Sequence, residues 1–193
     1  EHIIKREDGS LPTFWLELFR EWLLDLQNEF DDNVAKGSIG QKVWYDNATE
    51  GGILAFRLLA QTGNVDDPHD VNQVHKVRLV KDGIINPSGF YNYLSAWRGS
   101  DVLAYDSSMG DFYPPPHSFV HDYLDPSLEI HKSHQIQYAQ LPFYLTNLSN
   151  TSDIIETVRH IRSICDEFEE KGLPNYPHGI PFTYWEQYLH LRT

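Results

Sequence analysis

A single cysteine, Cys165, stands among the 193 residues of this chain, which excludes any internal disulfide. It falls in an apolar helical repeat, the setting of a buried thiol. Long hydrophobic runs are missing too: no window approaches the roughly 18 uninterrupted apolar residues of a membrane-spanning helix. The opening EHIIKRE does not read as a secretory signal peptide, so any targeting information of a secreted or membrane-bound protein is expected outside these residues. Positive charge is also scarce, with 15 Lys and Arg against 28 Asp and Glu and a net charge of −13. Nucleic acid and anionic lipid headgroups would be repelled, whereas a basic protein partner would be favoured. Acidity that merely keeps the surface soluble is an equally good reading.

Catalytic motifs are absent: there is no GxSxG, HExxH, phosphate loop or dinucleotide fingerprint. Ser118, His121 and Asp122 carry the atoms of a triad, but triads are assembled from positions distant in sequence. Asp166, Glu167, Glu169 and Glu170 read as the solvated face of a helix. No enzymatic activity and no cofactor are expected. His117, His121, His131 and His134 cluster in and after a loop. His117 and His121 could share a zinc ion on a helix, but Pro114, Pro115 and Pro116 before them and Pro126 after them oppose one. Titrating surface histidines, with no metal, are the expectation.

What is present is enough for one globular domain. Hydrophobic residues make up 40% and aromatics 13%, with a mean hydropathy of −0.48. Three N-x-[ST] acceptors, Asn47, Asn147 and Asn150, lie in turn-like polar contexts and point to an extracellular or luminal setting, whereas Asn86 is excluded by Pro87.

Residues 11–36 predict the clearest helix, capped by Ser10, with Pro12 in its first turn and Gly37 as terminator. Its apolar residues, among them Trp15, Phe19 and Trp22, span an arc of roughly 200°. Such a helix is either buried on two sides here or meets a surface outside the chain. Residues 53–61 fit periods 2 and 3.6, and the flanking Gly51-Gly52 and Thr62-Gly63 favour a strand. A short helix is expected from Asp70 to Val80. Another is expected with Asn86 as cap, Pro87 at its first position, and Phe90, Tyr93, Leu94 and Trp97 on one face. Residues 106–127 read as loop and 134–146 as strand. A helix opening at Asp153 should bury Ile154, Val158, Ile161, Cys165 and Phe168 and stop at Gly172. The order is that of an α+β, split βαβ domain covering 1–193, with a core of about 1–63 and 134–193 and an insertion at about 65–130.

The segment PFTYWEQYLHL, 181–191, places Tyr184, Trp185, Tyr188 and Leu189 on one face. Aromatics with a polar edge collect at membrane interfaces, and a membrane helix is expected to follow.

Several segments together resemble one family: GGILAFRLLAQTG at 51–63, DGIINPSGFYNYLSAW at 82–97, FVHD at 119–122, YAQLPFYL at 138–145, TSD at 151–153 and YPHGIPFTYWEQYL at 176–189. They resemble the Patched family of Hedgehog receptors, in its second large extracellular domain, between the seventh and eighth transmembrane helices. More distant relatives in the resistance-nodulation-division superfamily, including the Niemann-Pick cholesterol transporter, share the terminal pattern more loosely. The run DFYPPPHS at 111–118 departs from the family pattern.

The resemblance implies a ferredoxin-like porter fold, a place on the extracellular side of the plasma membrane and in the endosomal lumen, and flanking transmembrane helices outside this chain. It implies as partners the Hedgehog ligand, sterol and the first extracellular domain, which would enclose an apolar conduit with this one and contribute to Smoothened repression. Phe119, His121 and Asp122 become candidates for ligand contact. Trp15, Phe19, Trp22, Ile154 and Ile155 become candidates for the conduit or the inter-domain contact, each set against a role in ordinary core. A lipid-transporter domain without a protein ligand is the alternative, and an oligomerisation module joined through the first helix is a third reading.

Overall fold

The computed structural model describes residues 14–63, 69–108, 110–117, 121, 122, 125 and 129–185. Ser10, Pro12, Phe119, Tyr188 and Leu189 lie outside the described residues. Within them the chain forms two compact units, 14–142 and 143–185.

In the first unit, helix α1 (Trp15–Ala35) begins after Phe14 and ends at Gly37, whose φ of +73° closes the helix. Trp15, Phe19, Leu23, Leu26 and Phe30 recur at helical spacing and are buried. Phe19, fully buried, stacks on Trp97 with ring centroids 5.1 Å apart. Its burial contributes roughly 1.5–3 kcal/mol. Helix α2 (Glu50–Ala60) packs against α1.

Residues 53–61 are therefore helical, not a strand. Gly51 and Gly52 are not a turn before it but the close approach of two helices. A Cβ on Gly51 would lie 2.0 Å from Glu29 Oε2, and one on Gly52 would lie 2.7 Å from Asn33 Nδ2. The junction is tied by buried Asn33, whose Nδ2 donates to Thr49 Oγ1 (2.8 Å) and whose Oδ1 accepts from Thr49 N (3.0 Å). Thr49 in turn caps α2 by accepting from Gly52 N (3.2 Å).

The helix expected from Asp70 shrinks to a 3₁₀ turn, Val71–Gln73, capped by Asp70. A two-residue hairpin follows, β1 (Val80–Lys81) paired antiparallel with β2 (Ile84–Ile85). Asp82 and Gly83, at φ 53° and 77°, make the primed turn that an Asp-Gly pair favours. Helix α3 (Phe90–Ser100) starts after Gly89, and Asn86 instead organises the turn before it by accepting from Ser88 N (3.1 Å). Helix α4 (Val102–Ser107) is capped by Asp101. In the stretch expected to be loop, β3 (Asp111–Tyr113) pairs antiparallel with β4 (Tyr138–Gln140), which with an isolated bridge at Leu145 replaces the strand expected over 134–146.

The second unit contains α5 (Thr151–Glu170), capped by Asn150, whose Oδ1 accepts from Asp153 N (2.9 Å). The cap thus lies three residues before the Asp153 expected to open the helix. Of the face expected to be buried only Val158 is; Ile154, Ile161 and Cys165 are half-buried and Phe168 is exposed. Burial still pushes the Cys165 thiol up, with Asp166 adding to it. The acidic run is solvated as expected. Pro181–Trp185 forms a short π-helical turn, with Tyr184 exposed and Trp185 half-buried.

Candidate ligand-binding surfaces

Two features of the first unit present themselves as sites. The first is centred on Arg57, a guanidinium at 2% exposure inside the otherwise apolar buried run of α2. A charge is held there only with partners. Arg57 Nη2 donates to the backbone carbonyl of Asp125, and its guanidinium lies 5.5 Å from the centre of the Trp44 ring. Burial lowers its pKa, while the charges of Asp125 and Asp122 raise it again.

One turn further along α2, Gln61 meets the backbone of Ile130 with both ends of its amide, accepting from N at 3.0 Å and donating to O at 3.3 Å. Asn92 of α3 adds a donor to the same carbonyl at 2.7 Å. Arg57 and Gln61 thereby pin the strap that carries His121, Asp122 and Asp125 to the core.

Of the residues expected to contact ligand, Asp122 is exposed and His121 half-buried. Burial first, then the neighbouring Arg57 charge, lowers the His121 pKa, opposed by Glu50 and Asp122. The sequence reading missed Arg57. Its signal was an arginine inside a run apolar on both sides, which no surface helix requires.

The second feature is a groove of about 500 Å³ between α1 and the hairpin. Leu16 and Arg20 line one side, Ile84, Ile85, Pro87, Phe90 and Tyr91 the other. Ile84, at the hairpin tip, is 69% exposed. Much of DGIINPSGFY is thus spent on this wall, and the Asp-Gly hairpin signal could have announced it.

The structure relocates the aromatics of α1. Trp15 sits edge-on to Phe112 at 4.7 Å and Phe19 is sealed against Trp97 and Phe90, so both are buried in the core of this unit. Trp22 is half-buried on Phe19, and the side of α1 left open is that of Leu16 and Leu24. Ile154 and Ile155 are half-buried on the first turn of α5. Asn47, Asn147 and Asn150 are all exposed. No helix among the described residues is long and apolar enough to cross a membrane.

No family model matches the chain. Among curated proteins it is 49% identical over 193 residues to Protein patched of Drosophila melanogaster, covering 100% of this chain and 15% of that protein. It is 41% identical over 196 residues to Protein patched homolog 1 of Danio rerio, covering 100% of this chain and 16% of the relative. Against Protein patched homolog 2 of Mus musculus the identity is 41% over 185 residues, 94% of this chain and 16% of the relative. The chain therefore spans only 15–16% of the length of these relatives. Identity at this level along the whole chain decides the matter: the chain belongs to the Patched family.

Proposed function

We propose that this chain is an extracellular ligand-binding segment of a Hedgehog receptor, the second large extracellular domain, serving as one wall of a conduit for sterol and for the ligand's lipid. The observation that carries the reading is the whole-chain identity with Protein patched. The net charge of −13 suits a basic protein ligand, and exposed Asp122 on the strap offers it a carboxylate. Exposed sequons at Asn47, Asn147 and Asn150 are accessible to glycan on the extracellular side of the plasma membrane or in the endosomal lumen. The porter-type fold, the contact with the first extracellular domain and the contribution to Smoothened repression belong to the same proposal.

The test is binding of labelled Hedgehog to cells displaying the full-length receptor. Asp122→Ala and Phe119→Ala are expected to weaken it by about tenfold, the effect of a contact worth about 1.4 kcal/mol. Unchanged affinity in both removes Phe119 and Asp122 from the ligand site.

The apolar groove favours a second reading, a sterol-handling porter segment with no protein ligand. In that case Ile84→Asp abolishes labelling by a photoreactive sterol while Asp122→Ala leaves every readout unchanged.

A further inference from the structure

Outside the strap and the groove, two histidines are brought together that the sequence separates. His117 and His134 have ring centroids 4.5 Å apart and ring planes inclined at 51°. Their juxtaposition follows from strand register. In the β3–β4 pair Asp111 faces Gln140, Phe112 faces Ala139 and Tyr113 faces Tyr138. The pairing ends at Tyr113 and Tyr138, and His117 and His134 lie four residues further along the two segments that leave it. His117 thus meets His134 across the two segments, where surface histidines without a metal are the sequence expectation.

Both segments are fastened to one helix. Arg98 of α3 donates to the carbonyl of Pro116, and Ser95 of α3 shares a hydrogen bond with Ser133 (2.6 Å). Ser133 Oγ also accepts from His117 N (3.2 Å), while Ser133 N donates to Tyr91 O (3.1 Å). The residue preceding each histidine is thus anchored, and the imidazoles themselves are exposed.

We propose that His117 and His134 form a two-histidine site for a borderline divalent transition-metal ion, zinc being the representative. With metal–nitrogen distances of about 2.0–2.1 Å and a tetrahedral angle, two imidazoles on one ion have their ring centroids roughly 5 Å apart, so the rings, 4.5 Å apart here, need to open by only about half an ångström. Imidazole nitrogen suits zinc and copper rather than calcium or magnesium. Among the described residues no third His, Cys, Asp or Glu completes a group of three, and solvent would complete the shell of an ion held by these two rings.

Titration of the 193-residue chain with zinc chloride is the test. One saturable site is expected, lost in His117→Ala and in His134→Ala and retained in His131→Ala, with circular dichroism checking that each variant folds. Imidazole nitrogen NMR of the unaltered chain gives an answer that no variant's folding can obscure: zinc should shift the His117 and His134 resonances first. Absence of binding, binding that survives both single substitutions, or shifts confined to other histidines would overturn the proposal.

Discussion

Helices α2 and α5 invert what their sequences advertise. The eleven residues of α2 show no polar face, carry two glycines and an arginine, and end up with nine consecutive residues buried. The twenty residues of α5 align Ile154, Val158, Ile161, Cys165 and Phe168 with an acidic face opposite, yet only Thr157 and Val158 are buried. An apolar stripe records that a helix has one side to cover, not that its own chain covers it. An all-round apolar helix has no orientation left to choose, so it becomes the centre that other elements pack around. The arginine within α2 takes its partners from a strap sixty-eight positions further along the chain.

The largest effect that separates the two helices should come from matched truncations. Phe56→Ala in α2, at 1% exposure and edge-on to Trp44, is expected to cost about 3–5 kcal/mol in urea unfolding. Phe168→Ala in α5, at 42% exposure, should cost less than about 1 kcal/mol. Equal costs would show that α5 is covered as thoroughly as α2.

Next in size is Arg57→Ala. It leaves the Asp125 carbonyl without that donor and removes the stem packed in the core, a loss of about 1–3 kcal/mol. Hydrogen exchange should show the loss concentrated at His121, Asp122, Asp125 and Ile130. Uniform loss over the unit would mean that Arg57 fills space and does not hold the strap.

The smallest effect is a pH dependence. Burial and Arg57 depress the His121 pKa in the folded state, so above its unfolded value of about 6.5 the ring is neutral in both states and the docked strap keeps its full stability. As pH falls below that value the unfolded state takes up the proton first, and stability is lost down to the depressed folded pKa. His121→Gln should remove that part of the acid sensitivity from the denaturant midpoint. An unchanged pH profile would clear His121 of the role.

The elements legible in the sequence were those with one period and distinct ends: α1 with Gly37, the Phe90–Trp97 face of α3, and α5 with Gly172 after it. Those that failed did so for identifiable reasons. In 53–61 every position is apolar except Arg57 and Gln61, so period carries no information, and Gly51-Gly52 supports a turn as readily as a close helix crossing. The strand over 134–146 rests on alternation, but only Tyr138–Gln140 joins a ladder, with an isolated bridge at Leu145, and β4 is exposed throughout. Asp82-Gly83 was a local hairpin signal that went unused. Of the candidate site, His121 and Asp122 came from family likeness, whereas Arg57 and the His117–His134 pair depend on contacts between distant segments that no local pattern encodes.

The cap of α2 has a consequence for modification. Thr49 is also the third residue of the Asn47 acceptor, and its hydroxyl oxygen holds Asn33 Nδ2 and Gly52 N at once. A glycosylating enzyme has to engage that same hydroxyl. Attachment of a sugar to Asn47 therefore competes with the hydrogen bonds that join α1 to α2.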